Sequence, residues 1–503
     1  MNPCRRIKMQ GASMKNRIEG DNILIIGAGV GGLSAGILLL LLGYRVTIVE
    51  KNHLPGGLMR SYVRRGIDCP VGVHYVGALG DDEPLGKMFQ ALGISVEDLF
   101  FRMGGRGIVD RYLFDDFVFD LPAGLDAYEE NLRRACPADG KALDILMKNI
   151  RETARRMKEP SFILNQGDPF QNMDQFRPMG ELLDELGASP RLRAILAVPC
   201  QLIGVGLGEC PVIFHHMVLA GYLLSSWRPK SGGNRLADVF IDRFTSLGGR
   251  LMLGAGVQKI EVAGRKVKGV LLENGEDLPA DAIVAAIHPR VIAGLLAEAD
   301  LRATLRERIL SLQETEGVVV VHAGVDASAH LVPDHNTYRL HHNRHGVIED
   351  GTFYQLRHAG NGVNLLSAIT HSAYNDWKSW EKTITGRRGA AYEEKKQLIA
   401  DEVLGRAEDV FGPFKNLRIL DVFTPLTVRD YVNCPRGACY GLLRSAGQLM
   451  KIASVSRLSV GGLFSAGQNT VAPGLLGCIL GSFQVAAKIA GSERYAACFP
   501  QLL

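Results

Sequence analysis

The sequence predicts an α/β protein in which a Rossmann-like domain carries an inserted α+β domain. Three observations lead there. A strand, a glycine turn, a helix and a second strand can be read in succession from Ile23 to Glu50. An Asn-Gly pair at 274–275 sits between apolar runs, and a second strand, glycine turn and helix close the chain beyond Val460. At 503 residues the chain also exceeds one core, because single cores stop growing at roughly 250 to 300 residues. Two or three lobes are therefore expected.

The first element is "NILIIGAGVGGLSAGILLLLLGYRVTIVEK". Ile23 to Ile26 reads as strand, Ser34 to Leu42 as helix and Arg45 to Glu50 as strand, with Gly27, Gly29 and Gly32 in G-x-G-x-x-G spacing around Ala28. The spacing alone is weak; a strand before it, a helix after it and an acid ending the next strand give it meaning. Gly27 permits the tight turn, Gly29 lets the backbone approach a pyrophosphate, and Gly32 lets helix pack on strand. The helix N-terminus offers free N–H groups and partial positive charge to phosphates. Glu50, 18 residues after Gly32, can accept hydrogen bonds from a ribose diol and would repel a 2′-phosphate. FAD or NAD is expected here rather than NADP.

The continuation "EKNHLPGGLMRSY" resembles the E-x-x-x-x-x-G-G-x-x-x-S run of flavoproteins of the amine oxidase and phytoene desaturase superfamily, whose FAD domain is glutathione-reductase-like. That resemblance implies FAD as the cofactor. It places Glu50, with Lys51 beside it, at the adenosine ribose, and Gly57, Arg60 and Ser61 along the pyrophosphate and flavin.

From Gly249 to Ile287 the pattern is that of an antiparallel meander, with Asn274-Gly275 as its hairpin turn. In the superfamily such a hairpin grows from the nucleotide domain, and the strand at Val257 reaches the adenine through its backbone. The last element, "GGLFSAGQNTVAPGLLGCILGSFQVAAKIA", reads as strand over Val460 to Ala466, a turn at Gly467 and Gln468, and a buried helix over Leu475 to Ala490. It resembles the superfamily's closing motif, in which an "AGE" or "AGD" turn binds the ribityl and pyrophosphate and the next helix points its N-terminus at the flavin. Gly474 and Leu475 fall at that helix start. Gln468 replaces the usual acid, and an amide can still donate and accept there.

The expected division is a loose basic leader at 1–20, a flavin-binding domain from 21–106, 229–290 and 457–503, and a substrate domain from 107–228 and 291–456. The first insert contains "RLRAILAVPCQLIGVGLGECPVIFHHMVLAGYLLSSW", apolar beyond one helical face, which suits a lipid-like substrate. His215 and His216 within it are expected to be core residues. "GIDCPVGVHYVGALG" resembles the "FDxGxHYxG" stretch of the retinol saturase and carotenoid isomerase branch, with Gly72, His74, Tyr75 and Gly77 matching and Pro70 in place of the acid. "TPLTVRDYVNCPRGACYG" resembles that branch's segment ending in "P-x-G-x-x-YG".

Bulk properties exclude other classes. A net charge of +4, with no basic stripe interleaved with aromatics, does not imply nucleic acid. Nine cysteines without a C-x-x-C pair imply no metal ribbon, and reduced thiols in a cytoplasmic protein are expected. Arg5, Arg6, Lys8, Lys15 and Arg17 precede no apolar h-region, so no cleaved secretory signal is expected. Ile23 to Tyr44 and Leu458 to Ala487 lack charge and are long enough to span a bilayer, but their glycines, Gln468, Asn469, Pro473 and Gln484 argue against it.

The resemblance and the residues together imply an FAD-dependent oxidoreductase that exchanges hydride with a carbon–carbon double bond of a hydrophobic polyene or isoprenoid. Saturation is the favoured direction. His74 is the first candidate for the proton role, from its reference pKa of about 6.5, with Tyr440 and Tyr75 behind it. Desaturation or isomerisation, amine oxidation, and a non-enzymatic prenyl-binding escort remain open. No second G-x-G-x-x-G followed by an acid appears, so NAD(P)H enters only as an external donor. Peripheral membrane contact is compatible with an apolar substrate and a basic leader, and the oligomeric state is not legible.

Overall fold

The computed structural model describes residues 20–164, 173–230, 233–455 and 458–502. The basic leader lies almost wholly outside them. At the centre of the nucleotide side is a five-stranded parallel sheet. Its strands are β1 (Asn22–Ile26), β2 (Arg45–Glu50), β3 (Arg250–Leu253), β4 (Ala282–Ala285) and β5 (Leu463–Ser465), in spatial order β3-β2-β1-β4-β5. Both faces must therefore be covered, and the aliphatic runs in β1 and β4 are buried throughout or nearly so. On one face helix α1 (Val30–Leu41) and the closing helix α2 (Gly474–Ala490) bury Leu33, Ile37, Leu38, Phe483 and Ile489 against Ile23 and Ile25. On the other, Leu24, Ile26 and Ile283 pack with Ile260 and Val270, and with Ile292 and Ile309 from the helices after β4.

Two sequence expectations are corrected here. The helix after the glycine turn begins at Val30, directly behind Gly29, so Gly31 and Gly32 belong to its first turn. The segment from Gly249 to Ile287 is not one meander. Its first and last strands, β3 and β4, join the parallel sheet, and only Val257–Ala263, Lys266–Leu272 and Asp277–Pro279 form an antiparallel three-stranded sheet. An alternating apolar pattern does not report which neighbour a strand pairs with. The Asn274-Gly275 turn does form, with Gly275 at φ +85°.

The inserted residues build a seven-stranded mixed sheet from both inserts. Its order is Arg418–Phe423, Gly317–Asp326, Val363–Ser372, Ile348–Gly360, Asn336–His342, Ile108–Leu113 and Val118–Pro122. The first-insert and second-insert strands meet in its one parallel pairing, Ile108–Leu113 with Asn336–His342. One face packs on Leu125–Ala135, Gly140–Met157, Pro190–Gln201 and Val212–Leu224. The opposite face packs on Ala390–Phe411.

Among the described residues no helix is long and apolar enough to cross a membrane. Ile23 to Tyr44 resolves into β1 and α1, and most of Leu458 to Ala487 into β5 and α2. Among the described residues seven cysteines are free thiols.

Candidate functional site

The glycine turn between β1 and α1 is built so that a ligand can come close to its backbone. A Cβ on Gly32 would overlap the Gly27 carbonyl oxygen, so only glycine lets α1 sit against the turn. A Cβ on Gly29, in contrast, would meet nothing within 4 Å. No side chain caps α1 and no acid stands in its first turn, which leaves orphan N–H groups and the positive helix end for an anion. Glu50 closes the other side. Its Oε2 accepts the Ala28 N–H at 2.9 Å, and its Oε1 accepts the Asn52 N–H and Nδ2, both at 2.9 Å. A carboxylate offers about four acceptor positions, so one remains for a ribose hydroxyl.

The closing turn arrives from more than four hundred residues away and touches this glycine turn directly. A Cβ on Gly31 would lie 2.5 Å from Gly467 Cα, and Ser482 Oγ on α2 donates to the Gly31 carbonyl at 2.8 Å. Gly57 sits beside them, where its Cβ would be 3.2 Å from Gly29 Cα, and Gly56 N–H donates to the Ala28 carbonyl at 2.8 Å. The structure thus brings Gly27, Ala28, Gly29, Gly32, Glu50, Gly57 and Gly467 together. Open space at Gly29, the uncapped helix end and the spare acceptor on Glu50 fit a dinucleotide, and FAD would be held here.

Two residues not anticipated from sequence lock the closing loop. Arg444 is fully buried and donates to the carbonyls of Gln468 (2.7 Å), Val471 (2.9 Å) and Leu442 (3.2 Å). Burial lowers its guanidinium pKa to about 10. Asn469 Oδ1 accepts the Leu442 N–H at 2.9 Å. Neither position lies in a pattern that periodicity could flag.

The remaining predicted cofactor residues sit at the edge of this centre. Arg60 donates to the carbonyls of Gly57 (3.1 Å), Leu54 (2.7 Å) and Tyr431 (3.2 Å). Lys51 is exposed, with Nζ 3.5 Å from the Asp430 carbonyl oxygen. The Ser61 hydroxyl is tied to Asp68. Val257 opens its strand just after Ala255, whose N–H donates to the Glu50 carbonyl.

A cavity of about 240 Å³ adjoins the start of α2. The predicted catalytic residues His74, Tyr75 and Tyr440 line it, together with Gly474 and Leu475. Its walls come from Phe162, Leu202, Ile203, Phe214, Met217, Val318, Phe353 and Ile369, so the sheet face, the Val212–Leu224 helix and α2 all contribute. No carboxylate, Lys or Arg is among the described lining residues. Gly474 has φ +77°, a backbone conformation that disfavours any side chain whatever is bound, and a Cβ on Gly477 would overlap the Ala472 carbonyl. Both glycines are therefore required by the protein itself, and a substitution there cannot isolate a contact to a cofactor.

The proton role expected of His74 meets an obstacle. Both ring nitrogens are buried without a partner, and burial, with Arg357 and His322 adding to it, lowers the imidazole pKa to about 3. His74 is neutral near pH 7 and can hydrogen-bond a bound molecule, but it holds no ready proton. Burial pushes the Tyr440 and Tyr75 phenols above their ordinary range. His215 and His216 are core residues: His215 Nε2 bonds the Leu196 carbonyl oxygen at 2.9 Å, and the two Nδ1 atoms are 3.0 Å apart. His288, Glu314 and Cys434 also cluster within 4.8 Å, but Arg290 Nε lies 2.8 Å from Glu314 Oε1 and supplies its counter-charge.

A parallel sheet in this order, a glycine turn closed by a distant second turn, and an apolar cavity at the helix end define a flavin-dependent oxidoreductase fold. Residues 30–489 match the family of flavin containing amine oxidoreductases, and the chain belongs to that family. Within it, the chain is 19% identical to the all-trans-retinol 13,14-reductase of Danio rerio, over 98% of this chain and 90% of that protein. It is 25% identical to the all-trans-zeta-carotene desaturase of Myxococcus xanthus, over 93% and 92%. Among solved structures it resembles cyclohexylamine oxidase from Brevibacterium oxydans, with a TM-score of 0.60 at 18% identity, covering 94% of this chain and 99% of that one. The last similarity is one of fold.

Proposed function

We propose that the protein reduces one carbon–carbon double bond of a hydrophobic polyene or isoprenoid. The observation that carries this reading is the cavity: its lining is mostly aliphatic and aromatic, and no described lining residue is charged. An ammonium group would be desolvated there without a counter-ion, which weighs against an amine. The retinol reductase and carotene desaturase among the relatives act, by their names, on molecules of the favoured class. When bound, FAD supplies the electron pair. The protein's share is to hold the cofactor between the two glycine turns, keep water out and place the alkene against the end of α2. An external NAD(P)H is the proposed donor. A cytoplasmic site with peripheral contact to lipid belongs to the same reading, since such a substrate resides in membranes.

The test is anaerobic reduction of the bound flavin with dithionite, NADPH or NADH, followed by mixing with retinoids, carotenoids and quinones. Reoxidation by a polyene with loss of one double bond supports the reading. Reduction of the oxidised flavin by amines, with no reoxidation by any polyene, overturns it.

A further inference from the structure

Beside the cavity, where the two inserts join, lies a buried polar cluster. Asp110 stands opposite Asn336 in the parallel pairing of their strands and is 2% exposed. Asn336 Nδ2 donates to Asp110 Oδ1 at 2.8 Å, and the Tyr75 hydroxyl donates to Asp110 Oδ2 at 3.0 Å. The Tyr75 and Tyr338 hydroxyls are 2.7 Å apart, and both tyrosines line the cavity. Arg228 Nη2 and Gln355 Nε2 both donate to Asn336 Oδ1 at 2.8 Å, which turns the amide NH2 toward Asp110.

With the carboxyl ionised, Tyr75 donates to Asp110 and accepts from Tyr338; with the carboxyl protonated, both bonds reverse, the acid donating to Tyr75 and Tyr75 to Tyr338, so Asp110, Tyr75 and Tyr338 form a continuous chain. Its inner end is a carboxyl bonded by neutral donors. Arg228, on the Ser226–Pro229 strand, is the charge that faces it, and Tyr222 and Tyr112 add the other titratable groups nearby. Burial outweighs Asn336, Tyr75 and Arg228 and lifts the Asp110 carboxyl to about 7. Burial also pushes the Tyr75 and Tyr338 phenols well above their usual range. They therefore pass a proton without resting as phenolates.

We propose that Asp110, Tyr75 and Tyr338 are a proton relay that opens into the cavity at Tyr338 and supplies the proton for alkene reduction. The proposal rests on the alkene reading above. FAD, if bound and reduced, would supply one alkene carbon with a hydride and its electron pair. The π pair of the double bond then forms a C–H bond at the other carbon with the proton of the Tyr338 hydroxyl. Tyr338 takes the proton of Tyr75, Tyr75 takes that of the Asp110 acid, and the Asp110 carboxylate is reprotonated from water. One double bond is reduced and the flavin is oxidised by two electrons. Tyr338 is the catalytic group; Tyr75 and Asp110 act through it.

The test has two readouts on the flavin-loaded enzyme. Infrared difference spectra across pH about 5 to 9 should show a carboxylic-acid C=O band that disappears as pH rises through about 7. The band should be missing in Asp110→Asn and shifted in Tyr75→Phe. Reoxidation of the reduced enzyme by all-trans-retinol should slow above the same pH. Tyr338→Phe, which removes one oxygen, should slow it about a hundredfold, within the usual contribution of a general acid, with flavin content and melting temperature kept. Asp110→Asn should be slower and lose the pH dependence. A band that persists in Asp110→Asn, or a Tyr338→Phe rate within about threefold of the parent, overturns the relay. If retinol and the other polyenes fail with the parent enzyme while the Asp110 band titrates, the alkene reading falls and takes the relay's last step with it. If they succeed and no band titrates, the relay alone falls.

Discussion

Gly29→Ala separates a glycine needed by the ligand from a glycine needed by the fold. Gly29 is the N-cap of α1 at φ −76° and ψ 179°, which alanine adopts freely, and a Cβ there meets no atom within 4 Å. Two small effects act on the apoprotein. Alanine is a poorer N-cap than glycine, by several tenths of a kcal/mol, and it lowers the entropy of the unfolded chain, a gain of about 0.4 to 1 kcal/mol. They offset, so the apoprotein melting temperature should stay nearly unchanged. FAD binding should not. The added methyl occupies the space through which a pyrophosphate reaches the N–H groups of α1, and losing one hydrogen bond to a charged group costs about 1.5 to 3 kcal/mol. That is a loss of affinity of about tenfold to a hundredfold. Apoprotein melting and titration with FAD, followed by flavin fluorescence, measure both quantities on one preparation. Gly32→Ala is the control that should lose the fold, because its Cβ overlaps the Gly27 carbonyl. Unchanged FAD affinity in Gly29→Ala would refute a pyrophosphate at this turn.

Glu50→Gln keeps one acceptor oxygen but replaces the other with a donor facing the Ala28 or Asn52 N–H groups; flavin occupancy at limiting FAD should fall at least tenfold, and full occupancy would remove Glu50 from the site. Arg444→Met leaves the Leu442, Gln468 and Val471 carbonyls without their donor, at about 1 to 3 kcal/mol for each group that water cannot reach; purified protein should be flavin-depleted with a lowered melting temperature, and normal flavin content would show that the loop closes without it. Burial holds His74 and His288 at a pKa of about 3 and His215 and His322 at about 4. These folded values lie below the unfolded value of about 6.5, so below that pH the unfolded chain binds the extra protons. Stability should be complete above about pH 6.5 and fall on acidification toward about pH 4, on the order of 1.4 kcal/mol per pH unit for each histidine. Asp110, raised to about 7, acts in the opposite sense together with the raised Glu314 and Asp238, while His216, His335 and His371, also lowered by burial, add to the four. Melting curves that stay flat from pH about 7 to 5 would contradict the burial of these rings.

The sequence by itself determined the nucleotide site's chemistry. A strand, three glycines at set spacing, a helix and a terminal acid are local requirements, because the turn, the helix end and the carboxylate all arise within Asn22 to Glu50. The closing strand and helix were legible for the same reason, and so was the hairpin at Gly275. What local pattern could not hold was the pairing of distant segments. β3 and β4 read as meander strands, yet they align parallel with β2 and β1, β3 at the sheet's edge and β4 in its interior, which is a decision of packing. Gly31 carries no motif role, and its contact with Gly467 appears only once α1 and α2 lie side by side. Asp110 and Asn336 are 226 residues apart and meet through one register of one parallel pairing. The buried state of His74, which removes the proton that its reference pKa promised, is likewise a property of the packed cavity wall. Hydrogen-bond partners and desolvation depend on what the whole fold places around a side chain, and for these residues only the tertiary structure decides it.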